Sequence, residues 1–254
     1  MTSSKGTVLV TGAARRIGKA IALDLAAHGY KIAIHANRSG QEAEAVAGFI
    51  RDAGGVAEVF LADLSDGSAV RALHDQVSGQ LGAPDIIVNN ASVFEDDDVR
   101  SFDEERFDRH FAIHLKAPAI LAEAMAARLA DDREGLIVNI IDQRVWKLTP
   151  RFFSYTLSKA ALWTATQTMA QALAPRIRVN AIGPGPTLAN ERQNPDDFAR
   201  QTAALPLERG PELAEIGATI RYLHEAGSVT GQMIALDGGQ HLAWRTPDVV
   251  GVGE

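Results

Sequence analysis

The chain contains 254 residues, 46% of them hydrophobic, which is enough to form the core of an α/β domain. Its formal charge of −7 at pH 7 argues against nucleic acid or an anionic membrane as the main partner. The lack of cysteine excludes disulfides and thiolate metal sites. Residues 1–6 contain no apolar signal segment, and no run of about 18 apolar residues is present to span a bilayer, so the sequence predicts a soluble, cytoplasmic protein.

The first predicted element is a strand over residues 7–11, which leads into a turn with glycine at both ends, Gly12-Ala-Ala-Arg-Arg-Ile-Gly18. An amphipathic helix over residues 19–28 follows. A dinucleotide pyrophosphate binds in this context, because the helix N-terminus presents N–H groups and a positive dipole. A plain tight βα turn is the alternative. We predict a cofactor site formed here by Gly12, Arg15, Arg16, Ile17 and Gly18.

The second strand, residues 31–35, is followed by the residues that indicate the cofactor. NAD usually requires an acidic residue about 20 positions beyond the glycine turn, whereas arginine accommodates the 2′-phosphate of NADP. The residue twenty positions after Gly18 is Arg38, and the next acid is Glu42. A guanidinium that forms bidentate hydrogen bonds suits a phosphate dianion, although Arg38 and Ser39 could also only cap a loop. We predict NADP(H), with cofactor contacts from His35, Asn37, Arg38 and Ser39.

The rest of the chain alternates apolar strands with helices. Near-continuous apolar strands indicate a parallel sheet covered by helices on both faces. We predict an α/β protein with a doubly wound, Rossmann-type sheet and a single domain over residues 1–254, without linker or repeat. The further strands are predicted at residues 56–61, 84–90, 135–141, 178–182 and 232–236, and the further helices at residues 40–52, 68–81, 103–129, from the Tyr155 segment to 174, and 211–223.

Two segments without a strand pattern receive separate interpretations. Residues 188–210 contain two prolines and a short amphipathic piece, and a segment of this length beside the carboxyl ends of the strands is typical of a substrate lid. A surface excursion is the alternative. The acidic run Glu95–Asp98 is predicted to be a solvated loop face rather than a metal site, and we expect no bound metal.

Tyr155 and Lys159 are four residues apart on a predicted helix and therefore lie on the same face. An ammonium group beside a phenol favours phenolate and lowers the phenol's pKa from about 10, towards proton transfer near neutral pH. A helix that carries the pair by chance is the alternative. The meaning of the pair therefore depends on the glycine turn upstream.

Several short motifs, taken in this order, make the chain resemble the short-chain dehydrogenase/reductase family over nearly its whole length. They are Thr11-Gly12 with Gly18, Asp63-Leu64, Asn89-Asn90-Ala91-Ser92, Tyr155 with Lys159, Asn180, Pro184-Gly185 and Asp237-Gly238-Gly239. The resemblance implies a seven-stranded Rossmann-type sheet, hydride transfer with a nicotinamide cofactor, and commonly a homotetramer. It implies that Tyr155 donates a proton and that Lys159 holds the nicotinamide ribose and lowers the pKa of Tyr155.

The same resemblance extends the cofactor site beyond the glycine turn. The polar residues Asp63 and Asn89 follow or end predicted strands, at the edge where ligands bind in doubly wound sheets, although each could be only an Asx turn. The residues expected to join the cofactor site are Asp63, Leu64, Asn89, Ala91, Ser92, Pro184 and Gly185, together with Tyr155 and Lys159.

Two departures from the family pattern make the chain similar to pteridine reductases, which reduce pterins and folates. Asp142 stands thirteen residues before Tyr155, where the family usually has serine, and Arg16 occupies the place of a glycine. The subgroup implies that Arg16 contacts the cofactor phosphate and the pterin, and that Ser92 helps to hold both ligands. It further implies that Phe94 stacks on the pterin, while Asp142 and Tyr155 deliver the proton.

A carboxyl group at position 142 suits reduction of a C=N bond. Ketone reduction develops an alkoxide, which a carboxylate repels, whereas pterin reduction needs hydride at carbon and a proton at nitrogen. A carboxylate beside Tyr155 also raises the phenol's pKa and so opposes Lys159. We predict an NADPH-dependent reductase of a dihydropterin or dihydrofolate, with catalytic Asp142, Tyr155 and Lys159 and with no nucleic-acid or membrane partner.

Two other functions remain open from the sequence. In a general carbonyl reductase on the same scaffold, Asp142 would be only a turn residue or helix cap. A non-catalytic NADP(H) sensor is less favoured, because such proteins tend to lose the tyrosine or the lysine and both are present here. His114 stands where the family commonly has asparagine, and its part in the proton path is open.

Overall fold

The computed structural model describes residues 4–189 and 194–244, and its centre is a sheet of seven parallel strands in the order β3-β2-β1-β4-β5-β6-β7. This sheet confirms the predicted doubly wound, Rossmann-type architecture. Every predicted strand is present, with ends that differ from the prediction by at most two residues. The strands are β1 (Thr7–Val10), β2 (Lys31–Ala36), β3 (Ala57–Leu61), β4 (Ile86–Asn89), β5 (Gly135–Ile140), β6 (Ile177–Pro184) and β7 (Met233–Leu236).

Burial on both faces explains why the strands appear in the sequence as apolar runs. Every residue of β1, β4 and β5 is buried. Val8 and Val10 belong to the core on one side of the sheet and Leu9 to the core on the other side. This is the two-residue period of a strand between two covered faces. Each fully buried Leu or Ile side chain contributes about 1.5–3 kcal/mol to folding.

Eight α-helices accompany the strands in the described ranges, and none of these is long and apolar enough to cross a membrane. They are α1 (Arg16–Ala27), α2 (Gly40–Asp52), α3 (Gly67–Leu81), α4 (Glu104–Phe111), α5 (Ala117–Arg128), α6 (Phe153–Leu173), α7 (Pro195–Ala203) and α8 (Leu213–Glu225).

One predicted helix contains a π-helical turn. The helix predicted over residues 103–129 is present without a gap from Glu104 to Arg128, as α4, a π-helical turn at Ala112–Lys116, and α5. Pro118, in the first turn of α5, has no N–H to donate to the carbonyl four residues earlier, so the regular hydrogen-bond pattern is lost next to the π turn. The prediction of a helix here is confirmed, and the π turn is the feature that it lacked. The π turn carries His114, and such turns are frequent at functional sites.

The topology gathers the predicted site at one edge of the sheet. Strands β1 and β4 are neighbours, so the winding of the chain changes direction between them. Ligands of doubly wound sheets bind outside the carboxyl ends of the strands at such a switch point. The carboxyl ends of β1, β4, β5 and β6 lead to Gly12, Asn90, Asp142 and Gly185 in turn.

Candidate active site

The turn between β1 and α1 is so closely folded that it requires glycine at both ends. Gly12 has a φ of +64°, and a Cβ there would lie 2.9 Å from the Cα of Ala91. A Cβ on Gly18 would lie 2.2 Å from the carbonyl oxygen of Gly12. Arg15, which precedes α1, makes no side-chain hydrogen bond to cap the helix. That side chain therefore leaves the first N–H groups of α1 uncapped, as a bound phosphate requires.

A cavity of about 480 Å³ opens in front of this turn. Arg38 and Ser39 are not among its lining residues in the described chain; Arg38 is exposed and Ser39 half-buried at the start of α2. Hydrogen bonds from Ser65, and to a smaller extent the charge of Arg38, lower the pKa of Asp63 in the cavity wall. The predicted ligand-contacting residues that line the cavity are Gly12, Arg15, Arg16, Ile17, Gly18, His35, Asn37, Asp63, Leu64, Ala91, Ser92 and Phe94.

Two side chains hold the backbone of the glycine turn. His35 Nδ1 accepts the N–H of Gly12 at 3.1 Å, and its Nε2 lies 3.1 Å from the carbonyl oxygen of Ala62. These partners assign the neutral tautomer with the proton on Nε2, and burial lowers the pKa of His35 accordingly. Asn90 Nδ2 donates to the carbonyls of Thr11 at 2.8 Å and Gly12 at 3.1 Å. The predicted cofactor residue His35 thus supports the turn with both ring nitrogens.

Two further predicted cofactor residues are used in internal hydrogen bonds. Asp63 Oδ1 accepts the N–H of Ser65 at 2.9 Å, so the Asx turn foreseen as an alternative is present. Asn89 Nδ2 donates to Asn139 Oδ1 at 2.8 Å inside the sheet. Asn89 and Lys159 also line a small cavity of about 10 Å³, behind the large one.

Asp142 and Tyr155 form the central hydrogen bond of the site. Asp142 follows β5 and caps a 3₁₀ turn, where its Oδ1 accepts the N–H of Arg144 at 2.8 Å. Its Oδ2 accepts the hydroxyl proton of Tyr155 at 3.0 Å. Tyr155 lies in the first turn of α6 and is only 6% exposed. One carboxylate oxygen of Asp142 therefore caps the 3₁₀ turn, and the other accepts the hydrogen bond from Tyr155.

Burial and the carboxylate keep the phenol of Tyr155 protonated. Burial raises the pKa of Tyr155 well above its usual value, and the charge and hydrogen bond of Asp142 raise it further. Burial also raises the pKa of Asp142, against the charge of Arg144. Burial lowers the pKa of Lys159 to about 8. The net rise in the pKa of Tyr155 shows that burial and Asp142 dominate; the lowering contribution expected from Lys159, whose Nζ donates to the Ile140 carbonyl at 2.8 Å and lies 5.7 Å from the phenol ring centroid, stays a prediction.

His114 joins the loop after β4 to helix α6. Its Nε2 accepts the N–H of Val93 at 3.1 Å and lies 3.0 Å from Ser92 Oγ, while its Nδ1 lies 2.8 Å from Ser158 Oγ. An Nε2 that accepts a backbone N–H assigns the proton to Nδ1, and burial lowers the pKa of His114 well below its usual value. The neutral ring stands edge-on to Tyr155, with 5.6 Å between the ring centroids.

A second cleft, of about 290 Å³, opens beside the cavity at the glycine turn. The two share three lining residues, Arg16, Ile17 and Phe94. Asp142 and Tyr155 line the second cleft and are absent from the wall of the first. The predicted cofactor residues Pro184 and Gly185 also line this second cleft. The structure thus brings the predicted proton-delivering pair and the glycine turn to adjoining spaces.

Arg16 connects the glycine turn to the predicted lid. Its φ of +51° is uncommon for a residue other than glycine, in agreement with its place in the family pattern. Its Nη1 donates to the carbonyl of Ala189 at 2.9 Å and its Nη2 to that of Leu188 at 3.2 Å. Phe198 and Gln201 of α7 line the cleft from the same predicted segment. Residues 190–193 of that segment lie outside the described residues.

An aromatic wall borders the second cleft. The rings of Phe94 and Phe152 lie nearly parallel, with centroids 4.3 Å apart and 13° between their planes. Phe94 also meets Tyr155 edge-on, with 4.8 Å between centroids. The guanidinium carbon of Arg144 lies 5.3 Å from the Phe94 centroid and 4.9 Å from that of Phe152. Because Phe152 covers one face of Phe94, a planar ligand could stack only on the other face.

The acidic run Glu95–Asp98 is only in part the solvated loop face that the sequence predicts, since Asp96 is exposed and Glu95 and Asp98 are partly exposed. Asp97 is buried, and its carboxylate accepts the N–H of Ser154 at 3.1 Å as well as the Ser154 hydroxyl, at the N-terminus of α6. Asp96 forms an ion pair with Arg151. Asp97 therefore helps to fix the start of the helix that carries Tyr155. Among the residues that the structure describes, no group of three or more His, Asp or Glu side chains could hold a metal ion.

Three residues that shape the site were not predicted from the sequence. Arg144 lies two residues after Asp142, and this short spacing could have identified it as a residue of the site. Phe152 has a left-handed φ of +58° immediately before α6, a conformation that the local sequence does not indicate. Gln240 lines the second cleft from the turn after β7, and only the folded topology brings it there.

The chain matches known proteins along most of its length. Residues 12–241 match the family described as enoyl-(acyl carrier protein) reductase. The 3-oxoacyl-[acyl-carrier-protein] reductase FabG of Staphylococcus epidermidis is 32% identical over 242 residues, which cover 93% of this chain and 99% of that protein. The chain belongs to the short-chain dehydrogenase/reductase family, as its motifs predict.

Two solved structures are more similar still. FolM alternative dihydrofolate reductase 1 from Brucella canis, in complex with NADP, is 62% identical, with a TM-score of 0.95 over 97% of this chain and 98% of that chain. The protein of the same name from Brucella suis, also in complex with NADP, is 63% identical, with a TM-score of 0.94 over 97% and 99%.

Proposed function

We propose that this protein is an NADPH-dependent reductase of a dihydropterin or dihydrofolate. The observation that carries the proposal is the 3.0 Å hydrogen bond from the Tyr155 hydroxyl to the Asp142 carboxylate, in a cleft that adjoins the cavity at the glycine turn. A carboxyl group there suits protonation of a ring nitrogen and opposes a developing alkoxide. Identity of 62% to a FolM alternative dihydrofolate reductase in complex with NADP supports the same substrate class and cofactor.

The cavity at the glycine turn fits a dinucleotide phosphate. The close approach at Gly12 and Gly18, the uncapped start of α1 and the nearby guanidinium groups of Arg15 and Arg16 all favour an anion. In the proposed complex, Arg38 at the end of β2 binds the 2′-phosphate and makes NADPH the preferred cofactor. The bound nicotinamide supplies the hydride that reduces the substrate carbon.

Proton delivery is proposed to pass through Tyr155 and Asp142. The raised pKa of Tyr155 keeps its hydroxyl protonated, so that it can donate to the substrate nitrogen. The raised pKa of Asp142 allows the carboxyl to hold a proton and to restore the one that Tyr155 gives up. Lys159, with a pKa of about 8, supplies a positive charge below that pH and is proposed to hold the cofactor ribose.

Substrate binding is proposed to use the residues shared by, or next to, the two spaces. The face of Phe94 that Phe152 leaves uncovered can stack on a planar pteridine ring. Ser92 borders the cavity at the glycine turn, and Arg16 borders both spaces. These two side chains are proposed to hydrogen-bond both the cofactor and the substrate.

A carbonyl reductase is the second candidate, favoured by 32% identity to a 3-oxoacyl-[acyl-carrier-protein] reductase. In that reaction Asp142, once it has given up its proton, would place a carboxylate beside a developing alkoxide. Two like charges about 4 Å apart repel by a few kcal/mol at the dielectric typical of a protein surface. A non-catalytic NADP(H) sensor ranks last, because both Tyr155 and Lys159 are present.

A substrate panel tests the proposed function. NADPH oxidation is followed by absorbance with dihydrobiopterin, dihydromonapterin and dihydrofolate, and with simple ketones and a 3-oxoacyl thioester for comparison. We expect turnover of at least one pterin or folate and poor turnover of ketones. The matched variant Asp142→Ser, which restores the usual residue of the family, should lose pterin turnover and keep or gain ketone turnover. Turnover of ketones without any pterin or folate would refute the proposal.

Other expectations from the sequence stay predictions: the single domain over residues 1–254, the lid at 188–210, the homotetramer and the cytoplasmic location. Exposed apolar side chains favour association with further copies of the chain; Leu148 is 73% exposed and Leu242 and Trp244 are each 65% exposed. Light scattering on the purified protein tests the assembly, and a monomeric mass would contradict it.

A further inference from the structure

Arg144 has no part in the reaction proposed above, yet it contacts Asp142 in two ways. Its backbone N–H donates to Asp142 Oδ1 at 2.8 Å. Its guanidinium Nη1 lies 4.0 Å from Asp142 Oδ2, the oxygen that accepts the Tyr155 hydroxyl. The side chains of Arg144 and Asp142 are 23% and 19% exposed, so this pair is largely shielded from solvent.

The aromatic wall, rather than the ion pair, fixes the position of the Arg144 guanidinium. A separation of 4.0 Å is the outer limit of an ion pair, and a long side chain held by such a contact alone loses entropy for little gain. The planar guanidinium instead lies 5.3 Å from the Phe94 centroid and 4.9 Å from the Phe152 centroid. A cation over stacked rings is attracted by both, and arginine is the residue best suited to this geometry.

We propose that Arg144 is a positioning residue for proton delivery: Phe94 and Phe152 hold its guanidinium so that a fixed positive charge lies beside the Asp142 oxygen bound by Tyr155. Its part in catalysis rests on the proposed function. Its effect on the carboxyl group of Asp142 does not depend on which substrate is reduced.

The other charged or titratable groups around the pair do not replace Arg144. Among the neighbouring charges, that of Arg144 lowers the pKa of Asp142 most and that of Lys159 less. Arg144 also opposes the rise in the pKa of Tyr155. From the other side, α4 and the π turn present the rings of His110 and His114 to Tyr155, and His114 is neutral because burial lowers its pKa. Removal of Arg144 should therefore let Asp142 keep its proton to a higher pH.

The direct test is a titration of Asp142 in the intact protein. Carbon-13 NMR of protein labelled at the aspartate carboxyl groups follows the signal of each aspartate as the pH is changed. The signal of Asp142 is identified as the one that is lost in Asp142→Asn. An opposite charge at this distance lowers a carboxyl pKa by about one unit or more, so Arg144→Met should raise the Asp142 midpoint by about that amount. In turnover assays, the pH above which kcat falls should rise in the same direction, because the proton donor stays protonated longer.

Three variants separate charge, position and nonspecific effects. Arg144→Lys keeps the charge on a flexible stem and should shift the midpoint less than Arg144→Met. Phe152→Leu removes one ring and should shift it in the same direction as Arg144→Met. The matched control is Arg151→Met, since Arg151 also lies 5.3 Å from the Phe152 ring but is exposed and paired with Asp96. This control should leave the midpoint and kcat unchanged.

An unchanged Asp142 midpoint in Arg144→Met, or an equal shift in Arg151→Met, would overturn the proposal. Circular dichroism checks the fold of each variant. If Arg144→Met does not fold, Phe152→Leu provides the test. An unchanged Asp142 midpoint in Phe152→Leu would contradict the proposal that the aromatic wall holds the Arg144 guanidinium. Failure of the wild-type protein to reduce any pterin or folate would refute the proposed function and leave the titration result intact, so the two failures are distinguishable.

Discussion

Replacement of Asp142 by asparagine isolates the chemical part of its role. Asparagine has nearly the same shape and keeps an oxygen that can accept the Tyr155 hydroxyl, now 3.0 Å from the carboxylate. Its amide nitrogen cannot accept the N–H of Arg144, so that one hydrogen bond of the 3₁₀ turn is lost. It cannot hold a titratable proton or a negative charge. The fold and the two cavities should therefore persist while proton delivery fails.

The size of the loss follows from the surroundings of Asp142. A positioned general acid or base contributes about 10²–10⁴-fold to a rate, or roughly 3–5 kcal/mol of barrier. Removal of the carboxylate also removes one of the causes that raise the pKa of Tyr155, which makes the phenol a slightly better acid and offsets part of the loss. We therefore expect kcat for the best pterin or folate substrate to fall by about 10²–10³-fold.

Steady-state NADPH oxidation measures kcat, and a fluorescence titration measures the NADPH dissociation constant. The NADPH dissociation constant should change by less than about threefold, because Asp142 lines the second cleft and not the cavity at the glycine turn. Tyr155→Phe provides the matched comparison, since it removes the other member of the pair. If Asp142→Asn keeps kcat within about threefold of the wild type, the proton-delivery role is wrong.

Three further predictions concern the cofactor and the fold. Arg38→Asp should weaken NADPH binding by about 10–100-fold, from lost charge-assisted hydrogen bonds, and NADH binding far less; equal losses in fluorescence titrations would contradict the 2′-phosphate role. Gly18→Ala should lower the free energy of unfolding in urea by about 1–3 kcal/mol, because its Cβ would meet the Gly12 carbonyl at 2.2 Å. Gly48→Ala in α2 should not lower the free energy of unfolding in this way, because no atom lies within 4 Å of the new Cβ. Equal losses in the two variants would argue against a steric cause. Asp97→Ala should cost about 1–2 kcal/mol of unfolding free energy through the lost cap on α6, whereas an unchanged urea midpoint would show the cap to be dispensable.

The strands and the glycine turn were predictable because their signals are local. Every residue of β1, β4 and β5 is buried, so each strand is an apolar run in the sequence. Gly12 and Gly18 stand where a Cβ would collide with backbone atoms, so only one residue type fits. Buried strands and sterically required glycines can therefore be recognised from the residue types at those positions alone.

The π turn and the cap on α6 were not predictable because their partners are distant in the sequence. His114 bonds to Val93 and Ser158, which are 21 and 44 residues away. Asp97 bonds to Ser154, which is 57 residues away. The sequence does not show this partner, so an acidic run in a loop was predicted to face solvent. Pro118 removes one backbone donor from the helix, but the sequence does not show that a π turn accompanies it.

The contact between Asp142 and Tyr155 was foreseen from the sequence, but the pKa of Tyr155 was not. The spacing of Tyr155 and Lys159 correctly places both on one helix, and the unusual Asp142 indicates a carboxyl group nearby. The direction of the Tyr155 pKa depends first on burial, which sums contributions from several elements. A pairwise argument from Lys159 and Asp142 leaves out burial, which is the largest cause of the rise.

In the proposed function, where both spaces bind ligands, Arg16 would make the two spaces thermodynamically dependent on each other. Its guanidinium borders both spaces and donates to the carbonyls of Leu188 and Ala189. A ligand that draws the guanidinium to itself in one space breaks these bonds and reshapes the wall of the other. Such coupling is reciprocal: if one ligand changes the affinity for the second by a given factor, the second changes the affinity for the first by the same factor. In the proposed function, a side chain at a position usually held by glycine would thus couple the binding of two different ligands.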